Sequence, residues 1–516
     1  MTNTRNIRRR AGLVVAAILM MLAAAITSPA QTTFNTLVNF DGTNGANPYN
    51  IALIQGPDGN LYGTTFAGGQ YGLGTVFNVT PTGNLTTLWS FAGAPADGAN
   101  PMAGLVLGTD GNFYGTTSSG GANGFGTVFS MPLGGVVSIM YSFCSLALCA
   151  DGDSPEAPLI QAADGNFYGT TAYGGTACAP TGCNGGTVFR ITSIASGGML
   201  TSLFGLDPVS GQVPEAALVQ APNLDFYGTT TMAGSGCCGT VFSITSFGQG
   251  GLTAIYNFAF GATGADPQAA LSQASNGIFY GTTPLSGANN GGAVFSITSG
   301  GTLATLYSFC SLTSCADGST PVAGLIQATN GIFYGTTALG GTRNGGGSHG
   351  LCLEDAELVD GCGTIFEIKA TGQRKTLHNF DGNDGFNGTD GSVPLGGNAL
   401  VQATNGTFYG TTFSGGPNAE GLGNLRDGTL FSLSVGLAPF VKTLPTAGKV
   451  GTAVIILGTD LAGATSVTFN GTEAVYTVVS PTEITTTVPT GATSGKVEVV
   501  TPSGTLTSNV KFRVAP

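Results

Sequence analysis

A five-residue phrase, Phe-Tyr-Gly-Thr-Thr, recurs through this 516-residue chain and constrains its fold more than any other feature. One copy begins at Leu61, with Leu in place of Phe, and the others begin at Phe113, Phe167, Phe226, Phe279, Phe333 and Phe408. The spacings are 52, 54, 59, 53, 54 and 75 residues. Such regularity indicates one supersecondary unit per copy.

Each copy predicts four strands. A short apolar run precedes an Asp-Gly or Asn-Gly turn such as Asp110-Gly111, which suits a tight hairpin. The phrase itself is the second strand, Gly-Thr-Val-Phe or a close variant is the third, and an apolar stretch such as residues 85–91 is the fourth. With 86 Gly, 42% hydrophobic and 8% charged residues, the composition favours a turn-rich β protein over a disordered or helical one.

Seven units of four antiparallel strands predict an all-β fold with a seven-bladed β-propeller over residues 31–436. Residues 34–40 form a strand outside any complete unit, and the seventh unit ends after its third strand near Val435. We therefore expect the N-terminal strand to complete the last blade and close the ring, which leaves no long exposed sheet edge. The first strands would crowd the central axis, which accounts for their small residues. An open β-solenoid is the alternative.

Residues 437–516 have a different texture, in which Cys disappears, Gly thins and Val and Thr increase. Short alternating runs at 454–457, 466–469 and 496–500 predict an immunoglobulin-like (Ig-like) β-sandwich.

Residues 34–435 resemble the GloVer repeat family of exported bacterial proteins, best at 110–117 and 164–171, which read Asp-Gly-Asn-Phe-Tyr-Gly-Thr-Thr. The fourth copy departs from the pattern at Asn223-Leu224-Asp225, and the sixth carries a long insert. The C-terminal segment is similar to the IPT/TIG family through Val467-Thr-Phe469-Asn-Gly471 and related phrases. These resemblances imply an exported or cell-surface protein without an established enzymatic activity, and no catalytic residue carries over.

The N-terminus indicates export. Arg5 and residues 8–10, all Arg, precede an apolar stretch at 11–26 and a Ser-Pro-Ala site, which predicts a cleaved signal peptide over residues 1–30. A retained membrane anchor is the alternative, but sixteen residues are fewer than the roughly 20 that span a bilayer, and no later segment reads as a membrane span. Cleavage would lower the formal net charge from −12 by four, to −16. We expect a medium, cell-surface or periplasmic location, no nucleic-acid partner, and a cation or neutral polymer rather than an anion as ligand.

The ten cysteines fall into close pairs, which an oxidising compartment would favour as local disulfides. A zinc site is the alternative, but His349 and His378 lie in different kinds of segment. Free thiols remain an alternative for the adjacent pair. The predicted pairs are Cys144/Cys149, Cys178/Cys183, Cys237/Cys238, Cys310/Cys315 and Cys352/Cys362.

The long and Cys-bearing loops either join one unit to the next or join second to third strands, and in a propeller both classes emerge on one face. Binding residues concentrate on variable loops of a rigid scaffold. The same residues could simply keep large loops solvated. The candidate ligand contacts are Tyr173, Arg343, His349, Glu354, Asp355, Glu357 and Asp360.

The loop that begins at Asp381 alternates oxygen ligands and predicts a possible Ca²⁺ site, although it lacks the Gly and Glu of an EF-hand. No other cofactor is expected. The repeated Tyr and Phe could stack on sugars, but their recurrence in every unit favours packing between blades. The candidate calcium ligands are Asp381, Asn383, Asp384 and Asp390.

No recognised catalytic motif is present in the sequence. We therefore expect a non-catalytic exported binding or cell-envelope interaction protein, whose partner is a surface glycan or a protein. A secreted carbohydrate-active enzyme that uses the acidic insert around Glu354 and Asp355 is the alternative, although its carboxylates neighbour each other on one loop. A purely structural role is a third possibility.

Overall fold

The structure of the protein is a computed structural model. It describes residues 32–49, 51–175, 185–245, 251–342, 351–354, 357–381, 390–395, 400–416 and 427–515. The predicted signal peptide lies outside these residues.

The structure is all-β, as predicted. Its described residues between 33 and 434 form seven four-stranded antiparallel sheets, here numbered 1 to 7 by the order of their second strands. In every sheet the first, second, third and fourth strands are hydrogen-bonded in that order.

The first strands are short and the others span five to seven residues. The first strands are Ile54–Gln55, Val106–Leu107, Ile160–Gln161, Val219–Gln220, Ser272–Gln273, Ile326–Gln327 and Leu400–Gln402. The second strands are Leu61–Thr65, Phe113–Thr117, Phe167–Thr171, Phe226–Thr230, Phe279–Thr283, Phe333–Thr337 and Phe408–Thr412. The third strands are Thr75–Val79, Thr127–Met131, Thr187–Ile191, Thr240–Ile244, Ala293–Ile297, Thr364–Ile368 and Thr429–Ser434. The fourth strands are Leu85–Ser90, Ser138–Ser142, Leu200–Gly205, Leu252–Asn257, Leu303–Ser308, Arg374–Asn379 and, for sheet 7, Thr33–Asn39.

The N-terminal strand completes sheet 7, as predicted. Thr33 pairs with Ser434 and Asn39 with Thr429 in an antiparallel ladder. The seven sheets also pack face to face in succession, because each of seven buried clusters joins one sheet to the next. The cluster that contains Phe40, Leu53, Phe77 and Leu430 joins sheet 7 to sheet 1. The sheets therefore form a closed, propeller-like ring.

The first strands are shorter than predicted and begin nearer the turn. We expected residues 103–106 to form one of them, but the ladder covers only Val106–Leu107. A Cβ on Gly104 would lie 2.3 Å from the Ala52 carbonyl oxygen of sheet 1. Two backbones this close leave no room for a side chain. The small residues here therefore allow neighbouring sheets to approach each other near the axis.

Smaller elements decorate the ring. A pair of two-residue strands, Gly98–Ala99 and Ser119–Gly120, lies beside sheet 2. The insert of the sixth unit, expected as a loop, contains a hairpin of Leu351–Glu354 and Glu357–Asp360. The described residues include three short 3₁₀ helices, Ala147–Cys149, Ile194–Ser196 and Thr313–Cys315.

Three predicted disulfides are confirmed: Cys144–Cys149, Cys237–Cys238 and Cys310–Cys315. The adjacent pair is therefore oxidised in this structure. Cys362 is also disulfide-bonded, whereas Cys178 and Cys183 lie outside the described residues.

The C-terminal segment forms the predicted β-sandwich. One sheet contains, in spatial order, Lys442–Leu444, Ala453–Leu457, Glu483–Thr487 and Tyr476–Ser480. The other contains Thr472–Glu473, Ser466–Phe469, Val497–Thr501 and Gly504–Thr507, and a parallel pair, Ala447–Gly448 and Arg513–Val514, lies beside them. Buried aliphatic residues and the perpendicular rings of Phe469 and Phe512 fill the core.

This sandwich packs against the turns that join first and second strands, a surface called here the turn face. Leu457 joins the cluster of Tyr62 and Leu107 between sheets 1 and 2. The Thr482 hydroxyl donates to the Pro57 carbonyl at 2.7 Å, and the guanidinium of Arg513 donates to the Pro222 carbonyl. The opposite surface, which carries the long loops, is called the loop face. Within the described residues, no helix is long and apolar enough to cross a bilayer.

Candidate functional site

Each sheet is entered on the loop face through a proline that the sequence analysis did not single out. A Cβ on Gly74, in sheet 1, would lie 2.6 Å from Cδ of Pro101, which leads into sheet 2. The same contact recurs at all seven junctions, and Gly428 with Pro48 completes the circle. The other pairs are Gly126 with Pro155, Gly186 with Pro214, Gly239 with Pro267, Gly292 with Pro321 and Gly363 with Pro394.

The residue that follows each proline occupies an equivalent place, at the loop-face end of the inner edge of its sheet. Two of the seven are acidic, and they belong to neighbouring sheets, Glu156 to sheet 3 and Glu215 to sheet 4. Each is partly buried. The seven residues, called here the inner ring, are Tyr49, Met102, Glu156, Glu215, Gln268, Val322 and Leu395.

The two glutamates form one electrostatic cluster. Burial raises the pKa of Glu156 to about 7, with a further contribution from the charge of Asp153. Burial raises the pKa of Glu215 to about 8, helped by the charges of Glu156 and Asp266. Among the described residues, the charges that act on the two groups are all carboxylates. A cation placed beside the cluster would therefore stabilise the ionised carboxylates.

The two aspartates of the cluster are partly satisfied by their neighbours. Asp153 accepts a hydrogen bond from the Ser154 hydroxyl at 2.7 Å, and Asp266 accepts one from the Gln268 amide at 3.0 Å. Burial raises the pKa of both. Glu156 and Glu215 differ from them, because neither forms a hydrogen bond or ion pair within the described part of the chain.

A second ring of equivalent positions follows the second strands and is asymmetric. Tyr173 pairs with Asp153, and Met232, Leu285 and Leu339 occupy the same place in sheets 4, 5 and 6. Tyr173 is 38% exposed, Met232 58% and Leu285 46%. Sheets 7, 1 and 2 carry only small side chains here, namely Ser414, Ala67 and Ser119. Tyr173, Met232, Leu285 and Leu339 are called the apolar arc.

The arc and the acidic cluster adjoin. Burial and then the charges of Glu156, Glu215 and Asp153 raise the pKa of Tyr173, and burial with the charges of both glutamates raises that of Tyr49. These phenols are therefore within electrostatic range of the carboxylates. The site offers carboxylate acceptors at its centre and exposed apolar side chains along one side.

Of the predicted ligand contacts, Tyr173 lies in this site. Arg343, His349 and Asp355 lie outside the described residues. In the backbone register of the hairpin, Glu354 pairs with Glu357 and Asp360 pairs with Leu351. The predicted role of these residues stays a prediction.

Asp390, a predicted calcium ligand, is a structural group in this fold. Its carboxylate bonds to His378 Nε2 at 2.8 Å and accepts from the Asp381 backbone N–H at 3.0 Å. Asp97, Asp151 and Asp317 occupy equivalent positions and accept from Trp89, Tyr141 and Tyr307. Its oxygens are thus used in the same way as those of aspartates that end other inter-sheet loops.

Burial shifts two side chains near Asp390 toward their uncharged forms. Burial lowers the pKa of His378 to about 4, and the ring stacks on Phe34 at a centroid distance of 3.7 Å. Burial, and then a hydrogen bond with Asp390, raises the pKa of Asp381 to about 7. Asn383 and Asp384 lie outside the described residues, so the calcium prediction stays untested. No group of three or more His, Cys, Asp and Glu among the described residues is placed to hold a metal ion.

The repeated aromatics are packing residues, as expected. Tyr62 stacks on Phe113 of the next sheet at 4.3 Å, and its hydroxyl donates to Asp58 in its own turn at 2.8 Å. The tyrosines of sheets 2 to 6 contact the equivalent Phe of the next sheet, with ring planes tilted by 30–37°. The rings are therefore buried between sheets and are not available as platforms for sugars.

The turn face holds a second concavity. A cleft of about 590 Å³ lies between the ring and the C-terminal domain. Gln161, Asp164 and Pro222 line it on one side and Lys449 and Arg513 on the other. Its walls come from the contact between the two parts of the chain, so it belongs to their junction.

Sequence reasoning missed Glu156 and Glu215 because they are 59 residues apart and neither belongs to the repeated phrase. The available signal was the proline that precedes each of them. Aligning the units on that proline would have shown that one position varies through Tyr, Met, Glu, Gln, Val and Leu.

Comparison with known families agrees with this architecture. The Gloeobacter/Verrucomicrobia repeat matches residues 25–221 and 151–349, and the IPT/TIG domain matches residues 440–514. No curated protein is similar enough in sequence to match the chain.

Solved structures are similar to this chain at low identity. A fungal alcohol oxidase of the AA5 family, in complex with copper, is 14% identical, with a TM-score of 0.52 over 94% of this chain and 99% of that one. The extracellular domain of the putative hybrid two-component system BT4673 from B. thetaiotaomicron is 9% identical, with a TM-score of 0.48 over 92% of this chain and 58% of that one. At these identities the similarity concerns the fold alone.

Proposed function

The chain belongs to the Gloeobacter/Verrucomicrobia repeat family, and we propose that it is an exported, non-catalytic binding protein that contacts a cell-envelope partner through its loop face. One observation carries this proposal. The C-terminal domain packs on the turn face, so the loop face, with its exposed apolar arc, is the surface that remains for a partner.

The repeated residues support the same conclusion by their use. The aromatic, Gly and Thr residues that recur in every unit pack within or between sheets, as Tyr62 does on Phe113. Specific recognition must therefore come from positions that vary between units. On the loop face these are the positions of the inner ring and of the apolar arc. The side chains at the second set of positions are large only in sheets 3 to 6.

Export is part of the proposal. Residues 1–30 have the composition of a signal peptide. Four of the cysteines form disulfides within two of the connections between sheets, at Cys144–Cys149 and Cys310–Cys315. Local disulfides of this kind persist in oxidising compartments.

Binding of the purified mature protein to envelope fractions of its own bacterium tests the proposal. A triple variant, Tyr173→Ser, Met232→Ser and Leu285→Ser, should bind at least 10-fold more weakly than the parent. The matched control replaces three exposed valines of the C-terminal domain, Val450, Val475 and Val479, with Ser. Equal binding by both triple variants and the parent would contradict the loop face as the contact surface.

The enzymatic alternative has a separate test. Turnover of polysaccharides by the mature protein that is lost in Glu354→Gln or Asp355→Asn would replace the binding role with a carbohydrate-active enzyme. Glycan-array binding without turnover would instead name a surface glycan as the partner.

A further inference from the structure

Two features lie side by side on the loop face, a row of apolar side chains and a pair of glutamates. Large apolar side chains are exposed at equivalent positions of three consecutive sheets, and the partly buried Leu339 occupies the same position in the fourth. Beside them, two partly buried glutamates have no counter-charge among the described residues. Exposed apolar patches of this kind mark interaction sites, and buried carboxylates without a cation are costly.

We propose that this surface binds a protein segment that presents a lysine or arginine side chain between apolar residues. This inference rests on the proposed binding function and names the class of partner for the same surface. The basic side chain lies between Glu156 and Glu215, and its apolar neighbours pack on Tyr173, Met232 and Leu285.

Charge complementarity selects the cation. Asp153 and Asp266 already accept hydrogen bonds from Ser154 and Gln268, so Glu156 and Glu215 are the acceptors left for a ligand. Their neighbours in the inner ring, Met102 and Gln268, carry no charge. An anionic ligand would meet carboxylates only, whereas a guanidinium or ammonium would bring the missing positive charge into a partly desolvated place, where such pairs are strong.

The length of the arc selects a peptide over a small amine. Face-to-face sheets pack about 10 Å apart, so an arc across four sheets extends over roughly 20–30 Å. An extended chain covers that distance with about six to nine residues. A single amine would use the carboxylates and leave most of the exposed apolar surface uncovered.

Two synthetic peptide libraries test the inference on the full mature protein. Both consist of nine-residue peptides with random apolar or aromatic flanks, one with Lys at the centre and the other with Gln. We expect members of the Lys library to bind with at least 10-fold higher affinity than their Gln counterparts, and raised salt should weaken only the Lys peptides.

Variants of the protein locate the interaction. The double variant Glu156→Gln and Glu215→Gln should lower Lys-peptide affinity at least 10-fold and leave the weak Gln-peptide binding unchanged. Glu498→Gln, an exposed carboxylate of the C-terminal domain, is the matched control and should change neither. Melting temperatures of all variants exclude a folding defect as the cause.

Three outcomes would overturn the inference. These are equal affinity for Lys and Gln peptides, no binding by either library up to millimolar concentration, and peptide binding that survives the double Gln substitution. If envelope binding depends on the apolar arc but no Lys peptide binds, the proposed function stands and the partner class named here is wrong.

Discussion

The two threonines of the repeated phrase have different partners. In sheet 1, the Thr64 hydroxyl donates to the Ala103 carbonyl of the next sheet at 2.9 Å. The Thr65 hydroxyl lies 2.8 Å from that of Thr75 in the third strand of its own sheet. The first threonine thus holds neighbouring sheets together, and the second holds two strands together, which explains why both recur.

Sheet 5 lacks one of these pairs, which yields a prediction. Ala293 replaces the third-strand Thr, and the buried hydroxyl of Thr283 has no hydrogen-bond partner. Ala293→Thr should therefore raise the free energy of unfolding by about 1 kcal/mol, the net value of a typical hydrogen bond. Chemical denaturation measures the change.

The reverse substitution is the control. Thr75→Ala recreates the arrangement of sheet 5 in sheet 1 and should lower the free energy of unfolding by about 1–2 kcal/mol. In sheet 1 the methyl group of Thr75 lies beside Gly69, whereas no side-chain methyl occupies the equivalent space beside Gly287 in sheet 5. A destabilised Ala293→Thr protein would mean that this space does not admit the extra atoms.

The inner-ring glutamates predict a dependence of stability on pH. Because the pKa of Glu215 is raised to about 8, the folded protein binds more protons than the unfolded chain above pH 4.5. Stability should fall as pH rises from about 4.5 to 8, by about 1.4 kcal/mol for each unit of pKa shift. Glu215→Gln should remove most of this slope and melt higher than the parent at pH 9.

Thermal melting at several pH values checks this, with Glu498→Gln as the exposed control. A parent protein whose melting temperature does not fall between pH 5 and 9 would contradict the raised pKa. A basic ligand that binds at this place should raise the melting temperature most at high pH, where the carboxylates are ionised.

At the scale of the strand and its turns, two glycines of sheet 2 have similar backbone conformations but differ in the space around them. Gly126 and Gly111 both have positive φ, +95° and +81°. A Cβ on Gly126 would lie 2.4 Å from the Thr117 carbonyl oxygen and 2.6 Å from Pro155, whereas one on Gly111 would meet nothing within 4 Å.

These glycines predict unequal costs for the same substitution. Gly111→Ala should cost about 1 kcal/mol, the strain of a left-handed alanine. Gly126→Ala adds a collision at the junction with sheet 3 and should cost at least about 3 kcal/mol, as overpacking typically adds 1–3 kcal/mol. Denaturant unfolding of both variants measures the difference, and equal costs would refute the role of the Gly–Pro contact.

The strands and their pairing were predictable because local and global signals agree in the repeat. The turn glycines, the alternating apolar residues and the period all indicate one arrangement, and even the closing strand at Thr33–Asn39 followed from its lack of a unit. The predicted bounds of the first strands were wrong because the residues at 103–106 contact a neighbouring sheet, and the period of the apolar residues does not reveal such a contact.

The candidate site was less predictable for a physical reason. Tyr173 was chosen because it lies beside a long loop, whereas Glu156 and Glu215 come near each other only through the packing of sheet 3 against sheet 4, which the sequence does not display. The hydrogen bond between Asp390 and His378 could not be predicted, because His378 is a strand residue 12 positions earlier in the chain, and the calcium prediction for this loop stays a prediction.

For the whole molecule, the contact between the ring and the C-terminal domain predicts a coupling of their stabilities. Leu457 is 5% exposed and packs in the cluster between sheets 1 and 2. Leu457→Ala should cost about 2–4 kcal/mol and should speed hydrogen exchange at residues 56–60 of the ring.

Ile484→Ala is the control, because Ile484 is also buried but packs within the core of the C-terminal domain. It should lower the stability of that domain without changing exchange at residues 56–60 under native conditions. Unchanged exchange in Leu457→Ala would mean that the two parts of the chain fold independently of their contact.

The strand that closes the ring has a consequence for biosynthesis. Thr33–Asn39 is the first strand of the ring to leave the ribosome, but its partner, Thr429–Ser434, follows after some 400 residues, or roughly 20–80 s at ordinary translation rates. Until then the first-made strand must wait unpaired while six sheets assemble behind it. The nascent chain therefore stays topologically open for most of its synthesis, and it can still be threaded as a linear polymer long after its earlier segments could have folded.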